Sequence, residues 1–322
     1  MKTLYIKDLK EGLSLFAEDF AVKNLKKLVT KNGKPYYDVE LSDRTGTIKA
    51  KVWSESIKNT NGLEAGKVFS FDGTVTTDSF GSQVNITKAV ENTNIKNSDF
   101  VPKSSNDATK MQADFESFAN GIKNKHLKKL VWTVYDDDLY PKFLKAPAAY
   151  YIHHAYENGL LEHTLDMLEM SKSVQARYPN INYDLLVTGI IFHDLGKIFE
   201  YSLGTSIEVT KQGKLLGHIY MGAEYVKTHA QKDIPEDLLE EVIHMILAHQ
   251  GQLEFGSPIK PKTTEAVALY HLDDTSTKIN AAYNVIHGLA ANTEFAPYHK
   301  QLGVELYRSP YLDELVNEDL PF

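Results

Sequence analysis

The sequence contains no cysteine, which excludes a disulfide framework and any thiolate metal site. No run of 18 or more apolar residues occurs, so no segment reads as a helix spanning a bilayer. Met1 to Leu13 interleaves Lys2, Lys7 and Asp8 with single apolar residues and has no signal-peptide h-region. These absences predict a cytoplasmic protein with no membrane partner. What remains is ordinary for a soluble globular chain, 42% apolar and 24% charged. A length of 322 residues is long for one core and comfortable for two.

The net charge of −8 conceals an asymmetry. Residues 1–96 carry 15 Lys/Arg against 12 Asp/Glu, whereas residues 97–322 carry 20 against 31. A mildly basic front and a strongly acidic back suggest different tasks. All 12 histidines lie at or after His126. Imidazole is the commonest metal ligand and the general acid/base of neutral pH, so chemistry is expected in the second part.

The front reads as short strands. Residues 15–29 run to the turn signal Asn32-Gly33, and Tyr36 to Leu41 alternates with Tyr37, Val39 and Leu41 on one face. After Thr45-Gly46, the stretch Thr47 to Trp53 points Ile48, Ala50 and Val52 one way; Val68 to Val75 and Gln83 to Ile86 add two more strands. Five strands in so short a span predict a small closed barrel over residues 1–96. Residues 97–110, polar and containing Pro102, read as a linker. From 111 to 322 the apolar residues recur at three and four, as in Phe115, Phe118 and Ile122, and predict an all-α helical bundle.

The strongest chemical signal is His193-Asp194-Leu195-Gly196-Lys197, placed by periodicity inside one helix from Leu185 to Phe199. A His-Asp pair among apolar residues must be paired, hydrogen-bonded or metal-bound, because isolated charge is costly there. Adjacent His and Asp can chelate one cation, or the Asp can bridge two. His163, Gly217-His218, Ala248-His249-Gln250-Gly251 and Leu272-Asp273 each put a nitrogen or oxygen ligand near the end of an apolar helix, and a bundle can aim such residues at one point. A set of His and Asp without Cys suits a divalent metal bound for hydrolysis: manganese, with cobalt, iron, magnesium or zinc as alternatives.

This order of a single His, HDxxK, Gly-His, HxG and Asp resembles the HD phosphohydrolase superfamily. The phrases IHHAYENGLLEHT (152–164), FHDLGKIFEY (192–201) and AHQGQLEFGSPIKPKTTEAVALYHLDD (248–274) resemble one branch of it, the two-domain bacterial 3′→5′ exoribonucleases that join an OB-fold to an HD domain. The resemblance implies a first metal held by His163, His193, Asp194 and Asp273. It implies that Asp194 bridges to a second metal held by His218 and His249, and that Lys197 binds a phosphate oxygen. Asp194 and Lys197 would then be the catalytic pair, and the reaction hydrolysis of single-stranded RNA or DNA by a metal-activated water. Many two-metal members have His where this chain has Gln250; a carboxamide is a poorer ligand, so the second ion is expected to be exchangeable. The segment after Asp273 also lacks the second acid that often follows it. His153 and His154 either meet substrate phosphate or pack the helix start, and His244 reads as structural.

On the front domain, Lys49, Lys51 and Trp53 share the outer parity of their strand, and Tyr36 has the same parity on the strand before. Lysine beside an exposed aromatic suits single-stranded nucleic acid, charge for phosphate and ring for base. Phe80 stands at the hairpin tip where an OB-fold loop would close on the strand. The sequence GKPYYDVELSDRTGTIKAKVW (33–53) resembles OB-folds of the tRNA-anticodon type. The rival reading is an HD enzyme for nucleotides or cyclic dinucleotides with a regulatory OB-fold. A homo-oligomer is compatible with either.

Overall fold

The computed structural model describes residues 2–78, 81–95, 99–150, 154–204, 207–289 and 293–311. The front residues form a closed barrel of five strands: β1 (Ser14–Val29), β2 (Pro35–Asp43), β3 (Gly46–Val52), β4 (Val68–Asp78) and β5 (Gly81–Glu91). Their order around the barrel is β1-β2-β3-β5-β4. All pairings are antiparallel except β3 with β5, which run parallel from Lys49↔Gln83 to Val52↔Ile86. This is the five-stranded OB-fold arrangement. Alternation decides what faces inward: Val39, Leu41, Ile48, Ala50, Val52, Phe69 and Phe71 are buried, whereas Lys49 is exposed.

The polar stretch between the two parts is less of a free tether than its composition suggests. Phe100 packs with Ala21 and Val68 of the barrel, and the Pro102 carbonyl accepts a bond of 2.9 Å from the Glu157 N–H. Helix starts at Ala108, inside that stretch, because the Asp107 carboxylate caps the N–H groups of Thr109 and Lys110.

The second part is a bundle of nine helices among the described residues: α1 (Ala108–Gly121), α2 (Lys125–Val134), α3 (Tyr140–Lys145), α4 (Gly159–Arg177), α5 (Tyr183–Phe192), α6 (Lys197–Glu200), α7 (Lys211–His229), α8 (Glu236–Ala248) and α9 (Thr264–His287). Side-chain caps start most of the longer ones: Asn124 before α2, Asn182 before α5, Thr210 before α7 and Thr263 before α9. α5 is buried along its whole apolar length from Leu185 to Phe192 and forms the centre of the bundle. Tyr135 packs on Phe115, Phe143 and Phe192 and donates its hydroxyl to the Ile191 carbonyl at 3.0 Å. None of the described helices is long and apolar enough to cross a membrane.

Two features depart from the sequence reading. The bundle is not purely helical, since β6 (Tyr201–Leu203) and β7 (Ile207–Val209) form a two-stranded sheet. And the HDLGK segment is not inside a continuous helix. α5 stops at Phe192, the chain turns through His193 to Gly196, and α6 begins at Lys197. At this break α7 crosses so close that a Cβ on Gly196 would overlap the His218 carbonyl oxygen.

Candidate functional site

The break after α5 aims His193 and Asp194 at a point that three other helices also reach. His163 comes from α4, Asp273 from α9, and His249 follows α8. His218 follows Gly217, whose φ of 73° and ψ of 155° put a sharp kink in α7. That backbone is easy only for glycine, and it turns the imidazole of the next residue inward.

Two groups of donors result: His163, His193 and Asp273; and Asp194, His218 and His249. Nε2 of His163 is 3.3 Å from Nε2 of His193 and 3.2 Å from Oδ1 of Asp273. Asp194 lies between the groups: its Oδ2 is 3.2 Å from Nε2 of His193, and its Oδ1 is 3.5 and 3.6 Å from Nε2 of His218 and His249. The Lys197 ammonium meets Oδ2 at 2.6 Å.

The opposite ring nitrogens explain why these faces converge. Nδ1 of His193 lies 2.7 Å from the Ile190 carbonyl, and Nδ1 of His249 lies 2.7 Å from the Ile246 carbonyl. A carbonyl only accepts, so each Nδ1 carries the proton and each Nε2 presents a lone pair. Nδ1 of His163 meets Ser276 Oγ at 3.0 Å, and Nδ1 of His218 meets Glu200 Oε2 at 2.9 Å. Partners of this kind fix the tautomer and raise ligand basicity at metal sites. Inside the cluster, acceptor faces acceptor. Asp194 Oδ1 and His218 Nε2 are buried without a hydrogen-bond partner, an arrangement costly for a protein alone and resolved by a cation. The donors therefore suit a divalent metal.

The charge states of His163, His249, Asp194 and Asp273 agree with that role, whereas His193 in the metal-free protein is drawn toward the imidazolium. Burial holds His163 below the usual imidazole range and pushes His249 down to about 4. Burial acts the same way on His193, but the Asp194 carboxylate outweighs it and the net shift is upward. Burial alone would raise Asp194 and Asp273; Lys197 and His193 hold the first, and His163 and His193 hold the second, well into the ionised form.

Every predicted ligand is thus in the cluster, with Lys197 beside it. Two supporting residues escaped the sequence reading: Glu200 orients His218 and Ser276 orients His163. The Gln250 amide, singled out in the sequence, lies 3.0 Å from His249 Nε2. Ser276 follows Asp273 by three residues on α9, a helical spacing that could have found it. Glu200 had no such signal. His154 is buried against Asp166 and Asn280, at 3.3 and 3.1 Å, in a packing position. His244 accepts from the Lys262 N–H at 3.0 Å. His153 lies outside the described residues.

On the barrel, Trp53 stands one residue past β3. Its ring stacks on Tyr36 at 5.5 Å, its indole N–H donates to Asn85 at 3.1 Å, and the Lys51 ammonium lies 5.3 Å from the ring centre. Tyr36, Lys51 and Trp53 are half-buried and Lys49 is exposed. Lys49 also lines a groove of about 590 Å³ with Lys26, Asn24 and Thr47. Phe80 lies outside the described residues.

Comparison with known proteins points the same way. The HD domain family matches residues 160–278. A protein named 3′-5′ exoribonuclease YhaM from Geobacillus sp. is 33% identical over 264 residues, 80% of this chain and 81% of the relative. Its namesake from Bacillus licheniformis is 32% identical over 87% of this chain and 89% of the relative, and that from Bacillus velezensis 31% over 81% and 84%. Among solved structures, the second OB-fold domain of replication protein A from Methanococcus maripaludis aligns with 29% of this chain and 97% of its own, at 19% identity and a TM-score of 0.24.

Proposed function

We propose, because this chain belongs to the HD-domain 3′-5′ exoribonuclease family of those relatives, that it removes nucleotides from the 3′ end of single-stranded RNA by metal-dependent hydrolysis. Residues 1–96 hold the strand and residues 111–322 carry out the cleavage. The observation that carries the reading is Asp194: a buried carboxylate with one oxygen toward His193 and Lys197 and the other toward His218 and His249. A carboxylate so placed would suit a ligand shared by two cations.

His163, His193, Asp194 and Asp273 would hold one ion, and Asp194, His218 and His249 a second. Manganese is the ion proposed, with cobalt, iron or magnesium as alternatives, since a set of imidazoles and carboxylates without sulfur accommodates each of them. Ions bound there supply positive charge for the phosphoryl oxygens and an acidified water. The chain itself adds the Lys197 ammonium, which lines the cleft over the cluster and can meet a non-bridging oxygen. The same surfaces accept single-stranded DNA, because lysine and aromatic contacts do not read the sugar.

The test is end-labelled RNA and DNA offered to the protein with manganese and with EDTA, the label at the 5′ end so that a ladder shortening from the 3′ end reports direction. Asp194→Asn is expected to abolish hydrolysis and leave RNA binding largely intact. Near-normal turnover in that variant would refute the metal assignment.

A further inference from the structure

The donor cluster borders a cleft of about 390 Å³ lined by His249, Asp273 and Lys197 together with Phe255, Tyr270 and Lys278. Phe255 is its most exposed apolar member, 63% accessible. A lone exposed phenyl ring is ordinary on a protein surface; what sets this one apart is that it lines the same cleft as residues of the donor cluster. This ring does not sit on a loose loop. The segment is a single 3-10 turn, Leu253–Phe255, closed by bonds from Phe255 N–H to Gln252 and from Gly256 N–H to Leu253. Just beyond it, the buried Ser257 hydroxyl lies 2.9 Å from the carbonyls of Leu247 and Ile259, which ties the turn to the end of α8. That same helix end positions His249. The ring and the cluster are therefore braced by one element.

Exposure grades the lining of the cleft: His249 and Lys197 are buried, Asp273 is half-buried, and Lys278 and Phe255 are exposed. That is complementary to a nucleotide, with phosphate toward the buried residues and base toward the exposed ring. From this grading we infer that Phe255 is the stacking residue for the base of the terminal nucleotide. Lys278, paired with Asp274 at 2.9 Å, adds charge for the sugar–phosphate side. Stacking on a π-face is tolerant of base identity, so the subsite would pass all four nucleotides and still reject an end that lacks a base. The inference rests on the exoribonuclease reading and adds to it a named substrate contact.

The experiment compares two 5′-labelled RNAs, one ending in a normal nucleotide and one in a stable abasic ribose, with full-length wild type, Phe255→Ala and Phe255→Trp. Wild type is expected to process the normal end faster by roughly 5- to 150-fold, the range that base stacking covers. Phe255→Ala should lose that preference, slowing on the normal end through KM and hardly changing on the abasic one, with its metal content unaltered. Phe255→Trp should restore the preference. Equal losses on both ends, or a lower metal content, would make Phe255 a structural residue and overturn the inference. So would an unchanged preference in Phe255→Ala. A wild type inactive on both RNAs would bring down the underlying reading, and this inference with it.

Discussion

Each imidazole in the cluster has one nitrogen tied outward and the other turned inward, and the outward ties differ in strength. His193 and His249 bond backbone carbonyls, His163 a hydroxyl and His218 a carboxylate. The second group has no acid beyond Asp194, and the neighbouring Gln250 occupies the approach to His249 with an amide. One tightly held ion and one exchangeable ion follow. His249→Ala is expected to give a folded protein that keeps about one metal through dialysis and has little activity, read by metal analysis beside a manganese titration of rate. Two metals retained in the variant would contradict this. The residues of the cluster were legible in the sequence, because each is a His or Asp beside glycine or an apolar run. Glu200 was not, being one acid among 43 whose meeting with His218 depends on how α6 lies against α7. Ser276 looked like a lost acid and proves to be a hydroxyl that does the orienting.

The elements were less legible at their ends than in their middles. The apolar pattern runs unbroken from Leu185 to Phe199, and periodicity alone cannot see a helix stop inside it. At the stop, α7, a segment distant in sequence, packs directly against Gly196. Barrel strands fared better because alternation is local: Ile48, Ala50 and Val52 are inside as expected, and β3 ends just short of Trp53. Gly196→Ala tests the crossing. A methyl group there would meet the backbone of α7, at the His218 carbonyl and the Gly222 N–H, so α7 must shift rather than a side chain. The expected result is destabilisation on the order of 1–3 kcal/mol, seen in the urea midpoint. The weaker-held metal should be lost before the fold is.

The whole molecule divides its labour by charge: a mildly basic barrel joined to an acidic bundle. Binding and cleavage should then separate by mutation. Trp53→Ala is expected to cost about 1–3 kcal/mol of RNA affinity while hydrolysis of a small phosphodiester hardly changes; equal losses on both substrates would mean that Trp53 only braces the barrel. Acid should unfold the metal-free protein through the cluster. His249, held at about 4 in the fold against about 6.5 unfolded, refuses a proton that the unfolded chain accepts. Its contribution is present above pH 6.5 and lost as pH falls toward 4, on the order of 3 kcal/mol at most. Asp194 and Asp273, with lowered values, act in the same direction further into acid. His193, raised, acts oppositely, giving stability below its unfolded value that fades as pH rises through its folded one. Urea midpoints across pH 4 to 7 in EDTA should fall toward acid, and more gently in His249→Gln.

Two of the ligand histidines share one placement. α5 stops one residue before His193 and α8 one residue before His249. The last carbonyls of any helix lack donors within it and carry a partial negative charge. Both helices direct that end at the cluster, with one imidazole N–H apiece to answer it. Cations bound there would do for the bundle what lysines do at ordinary helix ends, supplying a countercharge common to both C-termini. Stripping the metal is consequently a mechanical event as well as a chemical one. The final turns of α5 and α8 lose their countercharge, and amide exchange should quicken at these two helix ends, far apart in sequence, before it quickens anywhere else in the core.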